Sequence, residues 1–174
     1  LTVTDEEGYV VTYTYDANNR MTSIKNARGY TTSYEYDRVG NLVKTINAMN
    51  GVSIVVYDAD GNLISETNTD GATTTYTYDG LGRVLTMTDP VGAVTTTEYD
   101  ANGNVVKLTQ ADGHSITYTY NARNELTSYV DAEGYTHSFT YDGNGNKISE
   151  TDGNGNTTYY TLSLIHISEP TRPY

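Results

Sequence analysis

The chain has 174 residues, no cysteine and a formal net charge of -12. The lack of cysteine excludes a disulfide framework and leaves the redox compartment open. The acidic balance argues against nucleic acid and anionic membrane as partners, and no apolar run approaches the ~20 residues of a membrane-crossing helix, so no membrane insertion is expected.

Leu, Ile, Val and Phe together number 32, under a fifth of the chain. Few aliphatics and high net charge form a disorder signature. The 18 tyrosines argue for order, because most of them stand in register and tyrosine buries a large area.

Residues 1–14 read as a partial repeat, in which Gly8-Tyr-Val-Val-Thr-Tyr-Thr-Tyr15 is the incoming half of a unit. From there Tyr15, Tyr36, Tyr57, Tyr78, Tyr99, Tyr120 and Tyr141 follow at steps of 21 residues. Each is followed by an acid, at Asp16, Asp37, Asp58, Asp79, Asp100 and Asp142, except where Asn121 follows Tyr120. A fixed period of this length marks a repeat architecture, with units starting near 15, 36, 57, 78, 99, 120 and 141. The array is expected to run over residues 1–161.

Each unit has four parts. The first is a strand ending in Tyr-Asp, in which aromatic and β-branched residues alternate, as in Thr12-Tyr-Thr-Tyr15. The second is a turn such as Asp37-Arg-Val-Gly40, with Asp first and Gly fourth; the carboxylate can accept the N–H two residues on. The third is a second strand, such as Asn41 to Ile46, with its most apolar column at Met21, Leu42, Leu63, Val84, Val105 and Leu126; Lys147 departs from it. If Asp16 pairs with Arg20, Tyr15 lies opposite Met21 and the Tyr and Leu columns share a face. The fourth part is another turn, such as Asn26-Ala-Arg-Gly29 or Asp89-Pro-Val-Gly92.

Two columns call for positive φ, where Gly and Asn are the usual occupants. One holds Asn19, Gly40, Gly61, Gly82, Gly103, Asn124 and Gly145; the other holds Gly8, Gly29, Asn50, Gly71, Gly92, Gly113, Gly134 and Gly155. Side chains on a strand alternate with period two and the unit length is odd, so a regular meander would turn the Tyr column over at every repeat. One irregularity per unit must restore parity, and a bulge at one of the two Gly columns is expected. The fold class is all-β: a meander of tandem β-hairpins, about fifteen strands, forming a curled antiparallel ribbon that is part of a β-shell.

These residues resemble the YD-repeat, or Rhs-repeat, family, whose unit is approximately G-x(3-9)-Y-x-Y-D-x-x-G-R-L. Gly71 to Val84 matches it nearly residue for residue. The family Arg stands at Arg20 and Arg83, is Asn at Asn41, Asn62, Asn104 and Asn146, and is Glu at Glu125, which puts a role for that column in doubt. The resemblance implies a hollow shell that encloses a toxin or effector segment of a large secreted or cell-surface bacterial protein. Its implied partners are the rest of the shell and the enclosed segment. The alternative is a surface adhesin or carbohydrate-binding repeat that contacts glycans.

No enzymatic activity and no cofactor are expected. His114, His137 and His166 occupy unrelated columns. Loops such as Asp58-Ala-Asp-Gly-Asn62 and Asp142-Gly-Asn-Gly-Asn146 space oxygen side chains as calcium loops do, but they lack the bidentate Glu at the twelfth position, and turn chemistry explains the same residues. The register calls for Tyr-Asp at 162–163, where the chain has Leu162-Ser163. Leu162 to Arg172 resembles a translated sequencing adapter, so 162–174 reads as a non-native tail.

Overall fold

A computed structural model of the chain describes residues 1–4, 6 and 8–160. The assignment of 162–174 to a non-native tail lies outside them. The described residues form strands and turns, with no helix. The chain divides into two compact units, Leu1–Thr96 and Thr97–Tyr174.

The first unit holds β1 (Thr2–Thr4), β2 (Val10–Tyr15), β3 (Met21–Lys25), β4 (Thr31–Tyr36), β5 (Leu42–Ile46), β6 (Val52–Tyr57), β7 (Leu63–Thr67), β8 (Thr73–Tyr78) and β9 (Val84–Thr88). Strand β10 (Val94–Tyr99) crosses the division. The second unit continues with β11 (Val105–Thr109), β12 (Ser115–Tyr120), β13 (Leu126–Val130), β14 (Thr136–Tyr141), β15 (Lys147–Thr151) and β16 (Thr157–Tyr159). Sheet order equals sequence order, as a hairpin meander requires. The strands are antiparallel, with Tyr15 opposite Met21, Tyr36 opposite Leu42, Tyr57 opposite Leu63 and Tyr78 opposite Val84.

The sheet is one layer thick. Among the described residues no apolar side chain is buried, and Ser149 is the single buried polar one. The repeat tyrosines are half-buried, apart from Tyr15, which is 47 % exposed and has no complete unit before it. With no second layer, cross-strand neighbours on one face carry the packing, each pair contributing roughly 0.2–1 kcal/mol.

Every member of the two Gly/Asn columns has positive φ, from 61° at Asn19 to 106° at Gly40. The parity argument holds as well, but the bulge is not at a Gly column. In the β2–β3 pair Thr14 faces Ser23 while Tyr15 faces Met21, so Thr22 is the extra residue. The same shift recurs at Val43, Ile64, Leu85, Thr127 and Ile148. The reason is arithmetic. Both turns of a unit close a three-residue loop, Asp16 to Arg20 and Asn26 to Tyr30, so their contributions to parity cancel. The correction must come from a third place, and it falls in the second strand just after the apolar column.

Gly61 has φ of 88° and open space where a Cβ would point, so backbone strain alone disfavours a side chain there. Gly61→Val is expected to lower stability in urea unfolding by about 1–2 kcal/mol. Gly61→Asn should lose less, because Asn adopts the same backbone conformation at Asn19 and Asn124.

Candidate functional site

The Tyr-Asp turn is where the repeat concentrates its polar chemistry. Asp58 shows the arrangement. Its Oδ1 accepts the N–H of Asp60 at 3.0 Å and of Asn62 at 2.8 Å, and its Oδ2 accepts the Asn62 side-chain amide at 2.9 Å. The bond from the residue two positions on is the one the turn pattern predicts. The other two were not legible from it. Asp16 makes the same set with Asn18 and Arg20, and Asp79 with Leu81 and Arg83, the arginine Nε lying 2.7 Å from Oδ2 in both. Asp37, Asp100 and Asp142 repeat it with Asn41, Asn104 and Asn146.

The column that is Arg in the family therefore keeps one job through its substitutions: it donates to the turn aspartate. Arg and Asn both carry a planar N–H donor and are interchangeable for this bond. The sixth unit reverses the polarity. Asn121 replaces the Asp, Glu125 replaces the donor, and Asn121 Nδ2 donates to Glu125 Oε2 at 2.6 Å. Two apparent departures from the pattern are thus one compensated exchange.

The bonds to the charged form hold the turn aspartates below the usual carboxylate value. At Asp79 the main cause is the Arg83 side chain, followed by its backbone N–H. At Asp58 and Asp142 it is the side-chain amide of Asn62 and Asn146. Among the described residues no group of three or more His, Cys, Asp or Glu side chains is placed to hold a metal ion.

The tyrosine of the motif acts on the preceding unit. Tyr36 donates its hydroxyl to the Met21 carbonyl at 2.8 Å, Tyr78 to Leu63 at 2.6 Å, Tyr120 to Val105 at 3.0 Å and Tyr141 to Leu126 at 2.8 Å. The β3–β4 ladder ends at Ser23 opposite Ser33, so the Met21 carbonyl lies past its end, beside the bulge. The phenol supplies the donor that the ladder does not.

The second turn uses Asn or Asp in the same way, except in the fifth unit, where Gln110 stands first and Asp112 Oδ1 accepts the His114 N–H instead. Asn26 Oδ1, for example, accepts the N–H groups of Arg28 and Tyr30 at 3.0 Å each. Within that turn, Gly29, Gly71, Gly92, Gly113 and Gly134 take the positive-φ position.

The second unit adds an aromatic cluster. Tyr129 stacks on His137 with centroids 4.4 Å apart and planes 4° from parallel, and Tyr118 and Phe139 lie 6.2 and 6.0 Å away from Tyr129. Asp131 Oδ2 sits 3.1 Å from His137 Nε2. The cluster could have been found from cross-strand register, which places Tyr118, Tyr129 and His137 in one row.

Tyr78→Phe is expected to lower stability by about 1 kcal/mol in urea unfolding, because a half-buried carbonyl loses its donor, while Tyr15→Phe should change nothing measurable. Asn121→Asp alone should cost about 1 kcal/mol by opposing two carboxylates, and adding Glu125→Asn should restore most of it in a double-mutant cycle. The depressed aspartates contribute stability that is fully present above their ordinary value of 3.8 and is lost as pH falls through the lower folded-state values. Far-UV circular dichroism is therefore expected to stay constant from neutral pH down to the ordinary value and to decay below it.

The RHS Repeat family model matches residues 1–31, 16–48, 57–98, 99–136 and 120–157. No curated protein matches the chain. Among solved structures it is similar to a chain of the TcdB2-TccC3-Cdc42 crystal structure, at 20 % identity and a TM-score of 0.70 over 92 % of this chain and 10 % of that one. The TcdB2-TccC3 crystal structure gives 21 % identity and 0.67 over 91 % and 10 %, and a Photorhabdus luminescens Tc holotoxin pore gives 20 % and 0.65 over 89 % and 10 %. The chain spans about a tenth of the length of the chains it matches, and at this identity the likeness shows a shared fold. With the Tyr-Asp turn recurring throughout the array and the family model matching most of its length, the chain belongs to the RHS Repeat family.

Proposed function

We propose that the chain is a segment of a hollow shell wall that encloses a toxin or effector segment within a large secreted bacterial protein. The observation that carries this reading is the single layer: the turns recur in every unit, and among the described residues the sheet has no apolar core of its own. A layer of this kind suits a wall, which needs extent and two faces. The fold likeness to chains of Tc toxin complexes supports the same reading. It assigns these residues no catalytic role and no cofactor. The partners are the neighbouring repeats and the enclosed segment.

A second reading, a glycan-contacting surface, is favoured by one feature, the stacked Tyr129–His137 pair with Asp131 beside it. Aromatic faces flanked by carboxylates suit sugar rings.

Expression of the source gene with the codons downstream of residue 161, followed by limited proteolysis, separates the two. The wall reading expects a downstream segment that stays intact and copurifies with the repeats until the fold is denatured. Digestion of that segment at the rate of the free polypeptide would overturn it. Glycan-array binding abolished by Tyr129→Ala, in a protein lacking such protection, would establish the second reading.

A further inference from the structure

Strands pair over four positions within a repeat and over three between repeats. The four-position pairs are β2–β3, β4–β5 and β6–β7. The three-position pairs are β3–β4, β5–β6 and β7–β8. Side chains make up the shortfall at two of these three junctions. Across β3–β4 the Tyr36 hydroxyl donates to the Met21 carbonyl at 2.8 Å, Arg20 Nη1 donates to the Asp37 carbonyl at 3.0 Å, and Arg20 Cζ lies 5.0 Å from the Tyr36 ring centroid. Across β7–β8 the Tyr78 hydroxyl donates to the Leu63 carbonyl at 2.6 Å, the Tyr76 hydroxyl donates to Glu66 Oε1 at 2.8 Å, and the Thr67 and Thr73 hydroxyls lie 2.8 Å apart. The β13–β14 junction is stitched in the same manner, by Tyr141 to the Leu126 carbonyl at 2.8 Å and by Arg123 to the Asp142 and Gly143 carbonyls at 2.9 and 2.8 Å.

The β5–β6 junction lacks these stitches. Asn41 stands where Arg20 stands one repeat earlier, and its side chain bonds its own Asp37 at 3.0 Å. The Leu42 carbonyl lies past the end of the β5–β6 ladder, as the Met21 carbonyl lies past the end of β3–β4, but the Tyr57 hydroxyl makes no bond to it. Among the described residues no side-chain hydrogen bond, ion pair or ring contact joins residues 41–47 to residues 52–58. Aliphatic groups face each other instead: Ile46 opposite Val52, and the Lys44 stem opposite Ile54. Val52 and Ile54 are 36 % and 42 % exposed, so this contact is partial, and apolar contact has no preferred direction. A groove of about 400 Å³ lies at the junction, its lining including Val43, Lys44, Ile54, Val56 and Tyr57.

We propose that the β5–β6 junction is a seam built into the array, the line along which the sheet of residues 1–96 opens first. Local opening costs what must break together. At β3–β4 and β7–β8 the ladder, the phenol bond and a second side-chain bond break together. At β5–β6 three ladder positions and a half-exposed aliphatic contact are all that hold. Two sequence features set this weakness, an asparagine too short to reach the next turn and a tyrosine whose hydroxyl is not engaged. The seam goes beyond the wall reading, because it is a property of the strands themselves and holds whether or not the array encloses anything.

The test is native-state amide hydrogen exchange of the intact chain, followed by NMR. Amides bonded across β5–β6 are expected to show protection about tenfold lower than those bonded across β3–β4 and β7–β8. Simple fraying from Leu1 gives a different order, with β3–β4 the least protected of the three. Asn41→Arg should supply a guanidinium able to reach the Asp58 carbonyl and the Tyr57 ring. It should raise protection across β5–β6 to the level of its neighbours and leave β7–β8 unchanged. Arg20→Asn combined with Tyr36→Phe should create a second seam at β3–β4. Equal protection at the three junctions, protection that falls steadily toward Leu1, or unchanged exchange across β5–β6 in a folded Asn41→Arg chain would overturn the assignment.

Discussion

An odd repeat laid out on an even lattice is the constraint from which the rest of this structure follows. Side chains alternate across a strand with period two, while the unit is 21 residues long and its two turns are built alike. Without a correction, Tyr15 and Tyr36 would face opposite sides. The extra residue at Thr22, and at its equivalents, keeps the tyrosines on one face. The bulge leaves the Met21 carbonyl past the end of a ladder, and the Tyr36 hydroxyl donates to it. Period, bulge and tyrosine are one device. This accounts for tyrosine at the column where phenylalanine would pack equally well.

The turns show how a repeat can vary without losing its geometry. An aspartate that gathers two backbone N–H groups and one side-chain donor closes a three-residue loop, and the donor can be Arg or Asn. At Asn121 and Glu125 donor and acceptor exchange places and the loop is unchanged. What does vary is reach. Arg20 extends to the backbone carbonyl of the next turn, whereas Asn104 reaches the next turn only through the Asn124 side chain, and this difference makes neighbouring turns chemically distinct on an otherwise uniform edge.

A one-layer sheet also shifts the balance of stabilising forces. No described apolar residue is buried, so the usual dominance of core burial is weakened, and hydrogen-bonded turns and cross-strand pairs carry a larger share. That suits a wall, whose two faces are both in use, better than a module that folds around its own centre.

Much was determined by the sequence alone. Strand–turn–strand–turn order, the opposition of Tyr15 and Met21, the positive φ of Asn19 and Gly40 and the need for one irregularity per unit all follow from local sterics, turn chemistry and the arithmetic of the period. Such features reside within about five consecutive residues, or in a count. Only the tertiary structure decided where the irregularity falls, that Tyr36 bonds a carbonyl fifteen residues upstream, that Asn41 keeps the arginine column's donor role while Glu125 reverses it, and that Tyr129 and His137 stack. These depend on which residues of different strands come to lie side by side. That is set by the sum of both turns and the bulge, so no single stretch of sequence contains it.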